Sequence, residues 1–233
     1  MQHNQQYPVI FLTLKSAKQP TYEMAYACLV GEICKEFERH SYVLQGEMSP
    51  RSREIFERIS LGKGSDEEYA TAFAFLSECL FKYHGKKTII LIDEYDVPLE
   101  NAYFRGFYDK MMDFIRSLFE SALKTNPYLE KSVITGCLRI SKESIFTGLN
   151  NLETDSVLHT RYGDSFGFTQ EEVDELLAYY GLDELLEEVK QWYDGYLFNH
   201  FEIYNPWSLL KYVNDRKDHV TEFALPYWSN TSS

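Results

Sequence analysis

Four apolar residues, Ile89 to Ile92, stand between the basic Lys86-Lys87 pair and the acids of Asp93-Glu94-Tyr95-Asp96. The run is too short for a helix and too continuous for a strand with one face in water. It predicts a central strand covered on both faces, the kind found in parallel sheets. Ligands of such sheets sit just beyond the carboxyl ends of the strands. The carboxylates at which this strand stops are therefore the first place to look for chemistry.

Two adjacent acids there suit a nucleoside triphosphate. Its Mg²⁺ asks for a hard oxygen ligand, and its hydrolysis asks for a second carboxylate that orients the attacking water. Asp93 fits the first role and Glu94 the second. The competing reading is a strand that happens to end in acids where it meets a loop. A phosphate-cradling loop, G-x-x-x-x-G-K-[ST], would decide between them. Gly62-Lys63-Gly64-Ser65 and Gly85-Lys86-Lys87-Thr88 both fall short of it, and the second precedes a strand instead of opening a helix.

The 233 residues, 44% of them hydrophobic, suffice for one large domain or a domain with an appendage. Lys and Arg number 23 against 36 Asp and Glu, a net charge of −13 that argues against wholesale binding to a polyanion. Eight acids fall between Glu171 and Glu188, among leucines at helical spacing, which is the pattern of a solvated helix face. Cys28, Cys34, Cys79 and Cys137 lack C-x-x-C spacing and sit among apolar neighbours, as reduced core thiols of a cytoplasmic protein do. The scattered histidines make no zinc motif. No basic leader or run of about 18 apolar residues suggests a membrane partner.

Along the chain, Tyr7 to Leu14 reads as a buried strand with no element before it to pair with. Helices are predicted over Tyr22 to Phe37, with Tyr26, Val30, Ile33 and Phe37 on one stripe, and near Arg51 to Ile59. A capping box, Ser65 with Glu68, predicts a helix running to about Tyr83. Pro98 is expected to keep a helix from starting directly after the Asp93-Glu94 strand. A buried helix over Phe107 to Lys124 and a strand over Ser132 to Thr135 complete a three-layer α/β pattern. A second unit, mostly helical, is predicted over 163–233. Its start signals are the capping box Thr169 with Glu172 and the Asn205-Pro206 pair before Trp207 to Val213.

Several segments match one pattern in order: IILIDEYDVPL (89–99), VITGCLRISKESIFTGLNNL (133–152), FGFTQEEV (166–173), WYDGYLF (192–198), IYNPWSLL (203–210) and YWSNTSS (227–233). Together they resemble the bacterial AAA-ATPase-like family, whose full-length members often end in a PD-(D/E)XK nuclease-like domain. The resemblance covers about three fifths of the chain, and the first part matches only as strand and helices. It implies a P-loop NTPase-like parallel sheet flanked by helices over 1–162, with a winged-helix-like unit after it. In the family a Walker A loop of the form RPRRFGKS precedes the strand at Tyr7. The resemblance therefore implies a fragment, or a split or truncated gene product, lacking both ends and incomplete at the amino terminus, with Met1 an internal or mispredicted start.

Carried over residue by residue, the resemblance aligns Asp93 and Glu94 with the Walker B pair and Asp96 with the family's second acid, on the metal side of the site. Thr135 stands where a sensor would watch the γ-phosphate; alternatively it satisfies local backbone. Arg139 and Lys142 would contact phosphate, or else make surface ion pairs. Asn150 and Asn151 read as turn formers, and Arg161 as a finger or plain surface. Trp192, Tyr193, Tyr196, Phe198, Tyr204 and Trp207 are expected to pack inward in preference to stacking on bases.

The reading is an ATPase-like domain using ATP and Mg²⁺ in the full-length protein, with little nucleotide binding expected of this chain by itself. The family further implies a nuclease-like domain in cis, DNA indirectly, and a possible homo-oligomer. One rival is a degenerate ATPase acting as a protein-interaction module. The other is a metal-dependent nuclease built on DEYD, for which the acid–lysine neighbours Lys35-Glu36 and Lys142-Glu143 stand in helix-like or loop contexts instead of on adjoining strands.

Overall fold

The strand expected at the amino end forms as β1 (Val9–Thr13), and its partner comes later in the sequence. In the computed structural model, which describes residues 6–138, 145–146 and 152–227, β1 pairs in parallel with β2 (Thr88–Asp93). β2 pairs in parallel with β3 (Leu129–Ile134), giving the order β1-β2-β3. Register sets Ile10 beside Ile90 and Leu12 beside Ile92. The chain divides into two units, Met1–Asn151 and Leu152–Ser233.

Between β1 and β2 run α1 (Tyr22–Arg39), α2 (Pro50–Ser60), α3 (Asp66–Ala70) and α4 (Ala72–His84). In α1 the fully buried stripe is Ala25, Leu29, Ile33 and Phe37, while Tyr26 and Val30 pack at the core's margin. The capping box forms with both of its hydrogen bonds, Ser65 Oγ receiving Glu68 N–H at 3.3 Å and Glu68 Oε2 receiving Ser65 N–H at 3.0 Å. The single helix expected from it is broken at Thr71. That hydroxyl donates to Glu67 C=O at 2.8 Å, a local side-chain bond of the kind that bends a helix. Gly85, left-handed at φ 65°, stops α4.

After β2 the expectation for Pro98 fails, because α5 (Val97–Arg105) begins at once with the proline in its first turn. Proline is tolerated there because first-turn N–H groups have no intrahelical acceptor to lose. Then α6 (Tyr108–Phe119) buries Met111, Phe114, Ile115 and Leu118 and runs into a π-helical turn over Glu120–Lys124. β3 starts three residues before the expected Ser132.

The sheet is covered unequally. Ile10, Leu12, Ile90 and Ile92 belong to the same buried cluster as α1, α4 and α6. The row on the alternate face, Phe11, Leu91 and Val133, leaves Phe11 46% and Val133 43% exposed. Among the described residues the three-stranded parallel sheet is flanked by helices as expected, with one face fully buried and the other, where β2 contributes the half-buried Ile89 and Leu91, only partly covered. Period-2 alternation places neighbouring residues on opposite faces, and an unbroken apolar run cannot say which face is closed.

The outer edge of β1 is closed by side chains. Phe11 N–H donates to Glu36 Oε1 at 2.8 Å. Val9 C=O accepts from Arg39 Nη2 at 2.5 Å and from His40 Nε2 at 3.0 Å. A carbonyl only accepts, so His40 Nε2 carries a hydrogen.

The second unit contains α7 (Gln170–Tyr180), α8 (Leu186–Tyr193), an antiparallel hairpin of β4 (Asp194–Phe198) and β5 (Phe201–Tyr204), and α9 (Pro206–Lys217). The capping box at Thr169 and the Asn205 cap form as the sequence predicts. The hairpin was not foreseen. Its turn rests on Asn199 at φ 57°, a conformation asparagine tolerates better than most residues. Residues ahead of position 163 already touch this hairpin, since Asn199 Nδ2 donates to Leu158 C=O at 3.0 Å. Glu188 ties the unit together by accepting from Tyr212 Oη at 2.7 Å, Arg216 Nη2 at 2.8 Å and Ala224 N–H at 3.0 Å.

Candidate functional site at the strand ends

Parallel pairing brings the carboxyl ends of β2 and β3 side by side, and with them most of the residues singled out by sequence. Thr135 N–H donates to Ile92 C=O at 2.8 Å, which extends the ladder one step past β3. Its hydroxyl then reaches Asp93 Oδ1 at 2.5 Å. The threonine therefore does more than satisfy local backbone: it holds one oxygen of the candidate metal ligand. Asp93 and Glu94 are half-buried and Thr135 is exposed, so the trio opens to solvent.

Glu94 sits at φ 55°, left-handed backbone for a residue with a Cβ. Such a conformation costs about 1–2 kcal/mol. It lets the chain turn sharply from β2 into α5, and Glu94 C=O accepts from Val97 N–H at 3.2 Å in that turn. Strain of this kind persists where surrounding structure enforces it, and it concentrates at functional sites.

Asp96 lies at the same strand end but in another environment. It is 2% exposed, and its Oδ2 accepts from the N–H groups of Cys137 at 3.1 Å and Leu138 at 2.6 Å. Tyr95 fastens the same segment, donating from its N–H to Thr135 C=O at 3.1 Å and from its hydroxyl to Leu138 C=O at 2.7 Å. Gly136 is required by this closeness: a Cβ there would come within 2.6 Å of the Tyr95 ring. Neither Tyr95 nor Gly136 was singled out from sequence, although both lie inside the quoted motifs.

Among the described residues no three His, Cys, Asp or Glu side chains gather as a metal cage. Mg²⁺ seldom has one, being held by one or two carboxylates with water and phosphate oxygens. Asp93, with its hydroxyl neighbour, fits that lesser requirement. Arg139 and Lys142 lie outside the described residues, as do Asn150, Asn151 and Lys142-Glu143. Arg161 is an exposed surface residue paired with Glu153 at 2.7 Å. Glu36, of the other acid–lysine pair, is spent on the edge of β1. An open cleft of about 560 Å³ lies between the amino ends of α1 and α6, and none of the strand-end residues lines it.

The remaining expectations divide. Cys79 is buried, with its thiol pushed up to about 12 by burial, but Cys137 is exposed and is not a core residue. Tyr193 and Tyr204 pack inward as expected, while Trp192, Tyr196 and Trp207 are exposed. Those three alternate with or flank residues that already fill the small core. No described helix is long and apolar enough to cross a membrane.

A family model for predicted AAA-ATPases matches residues 1–146, well over half of the chain. The chain belongs to the AAA-ATPase-like family. The family match takes in all three strands of the sheet and Asp93, Glu94, Asp96 and Thr135. It includes the amino-terminal part that sequence matched only as strand and helices, and it stops before the motifs at 166 and beyond. Over 152 residues the chain is also 34% identical to an uncharacterized protein in the vnfD 5' region of Azotobacter chroococcum mcd 1. That likeness covers 64% of this chain and 28% of the relative, so the chain spans little more than a quarter of it. No solved structure matches.

Proposed function

We propose that this chain carries the metal-binding and water-orienting half of a Mg²⁺-dependent ATPase site. The observation that carries the reading is the 2.5 Å bond from Thr135 to Asp93 at the carboxyl ends of adjacent parallel strands, in a chain of the AAA-ATPase-like family. Asp93 offers its carboxylate to Mg²⁺, Glu94 orients the attacking water, and Thr135 fixes Asp93 and senses the phosphate beside it. When bound, Mg²⁺ neutralises charge on the phosphates and polarises the group being transferred. Arg139 and Lys142 supply cations that follow β3. Two adjacent carboxylates by themselves repel a triphosphate, so the phosphate-binding donors come from elsewhere in the polypeptide. A nuclease-like domain in cis, DNA reached through it, and a homo-oligomer are the partners this reading admits.

The test is ATP turnover by the longest natural polypeptide containing this chain. Glu94→Gln keeps shape and removes the base, and is expected to lower kcat by at least about 100-fold with nucleotide still bound. Turnover unchanged by that substitution sinks the reading. A second reading, a scaffold that docks a partner protein, is favoured by the exposed Trp192, Tyr196 and Trp207 of the second unit. It predicts a partner whose binding falls on Trp207→Ala and is indifferent to Glu94→Gln.

A further inference from the structure

We propose that Asp96 is a positioning residue: its carboxylate clasps the turn after β3 to the end of β2 and so fixes where Thr135 stands against Asp93. This replaces the metal-side role expected of Asp96, and its catalytic consequence rests on the ATPase reading above.

The geometry separates the two acids. Asp93 is half-buried and turned to the open trio, whereas Asp96 is 2% exposed. A buried carboxylate is tolerated when hydrogen bonds meet its charge. Here the two N–H groups on Oδ2 do so, from residues 41 and 42 positions away in sequence. Oδ1 is buried and has no hydrogen-bond partner among the described residues. Gly136 packs so closely over it that a Cβ would lie 2.5 Å away. A hydrated cation needs about 2.0–2.1 Å to the oxygen and space for its own waters beyond that, and the close approach of Gly136 takes up that space on its side.

With the two Tyr95 bonds to Thr135 C=O and Leu138 C=O, the clasp spans the whole segment from Thr135 to Leu138. Thr135 is therefore held on both sides, by the ladder bond to Ile92 and by the clasp. Asp96 touches neither of the acids at the open site; it acts through the turn it holds.

The substitutions Asp96→Asn and Asp96→Ala tell a clasp from a ligand. Asparagine retains one carbonyl oxygen able to accept both N–H groups, while alanine removes the acceptor. Amide hydrogen exchange of Cys137 and Leu138 is followed by NMR on the 233-residue chain, and Mn²⁺, standing in for Mg²⁺, is titrated by water-proton relaxation. In Asp96→Ala the two amides are expected to exchange at least about tenfold faster, the worth of one hydrogen bond, with Ile90 unchanged. Asp96→Asn is expected to restore their protection and to bind Mn²⁺ as the parent does. In the longer polypeptide the alanine variant is expected to lose kcat with KM little changed, and the asparagine variant to recover it.

Loss of Mn²⁺ binding in both variants, with exchange unaltered, overturns the clasp and restores the ligand role. Unaltered exchange in Asp96→Ala overturns it by itself. If the alanine variant does not fold, Gly136→Ala drives a methyl onto Oδ1 from the other side and is expected to raise exchange at 137 and 138; no rise overturns the proposal. A parent chain that binds no Mn²⁺ counts against the ATPase reading, while the exchange data still decide the clasp.

Discussion

The two units hold their interiors by different means. The first is packed with Ile, Leu, Phe and Met, and its buried acids, Glu36 and Asp96, lie at its margins, one on a strand edge and one on a loop. The second has a small core in which Tyr193, Tyr204 and Tyr212 are as buried as its leucines. Each of those hydroxyls needs a partner and has one: Leu225 C=O, Gln170 Oε1 and Glu188 Oε2 respectively. Volume holds the first unit, and matched polar groups hold the second. The first should therefore be sensitive to cavities, and the second to the loss of one hydrogen-bonding atom.

Tryptophan makes the comparison measurable, since the sequence has none before Trp192 and the described ones, Trp192 and Trp207, fall in the second unit. The largest effect is expected from Ile115→Ala, a fully buried side chain, at about 2–5 kcal/mol. It should move the circular-dichroism unfolding transition of the first unit and leave tryptophan fluorescence in place. Glu188→Gln should cost about 2 kcal/mol, the loss of a charge-assisted bond, and show in tryptophan fluorescence. A fluorescence midpoint that stays put would remove the second half of the comparison. Tyr212→Phe deletes one of the three donors to Glu188 and should cost about 1 kcal/mol by the same measurement.

Acid should loosen both units. Burial works against the charge of Glu36, but hydrogen bonds from His40, Arg39 and Phe11 N–H outweigh it and hold the carboxyl below the ordinary glutamate range. Burial likewise opposes the charge of Glu188, and Tyr212, Ala224 N–H and Arg216 outweigh it. A lowered folded value means that the unfolded chain takes up the proton first. The stabilisation is thus complete above the ordinary value near 4.5 and is lost as pH falls below it through the folded values. Glu188→Gln should flatten that loss in tryptophan fluorescence only.

The smallest effect has the opposite sign. Glu94→Gly relieves a left-handed Cβ and should raise stability by about 0.5–1 kcal/mol, where glycine elsewhere in a strand end would lower it. A decrease in the denaturation midpoint would mean that Glu94 is not strained by its backbone.

What could be read from sequence was mainly local. Ser65 with Glu68, Thr169 with Glu172, and Asn205 before Pro206 announce helix starts because donor and acceptor lie within three residues of each other. The β2 strand was legible because its apolar run is unbroken. The start of β3 was not, because Leu129-Glu130-Lys131 sits on a strand with one side exposed and shows no apolar run. Pro98 misleads because the restriction a proline places on the residue before it is a preference, and Val97 is nevertheless the first residue of α5. At the site, Asp93, Glu94 and Thr135 were found as strand ends, which the parallel order then brought together. The hydrogen bonds of Asp96 were hidden because its partners are backbone groups, which carry no residue-type signal, and follow α5 and α6 in the chain.

The side chains along β1 guard one edge of the sheet. A bare strand edge is a template on which any other extended chain can add, yet Val9 C=O and Phe11 N–H are already occupied by Arg39, His40 and Glu36. Edge-to-edge association of two copies through β1 is thereby blocked by two residues of α1 and the His40 that caps it. Among the described residues no strand lies beyond β1 or β3, and at β1 a newcomer meets backbone groups that are already taken.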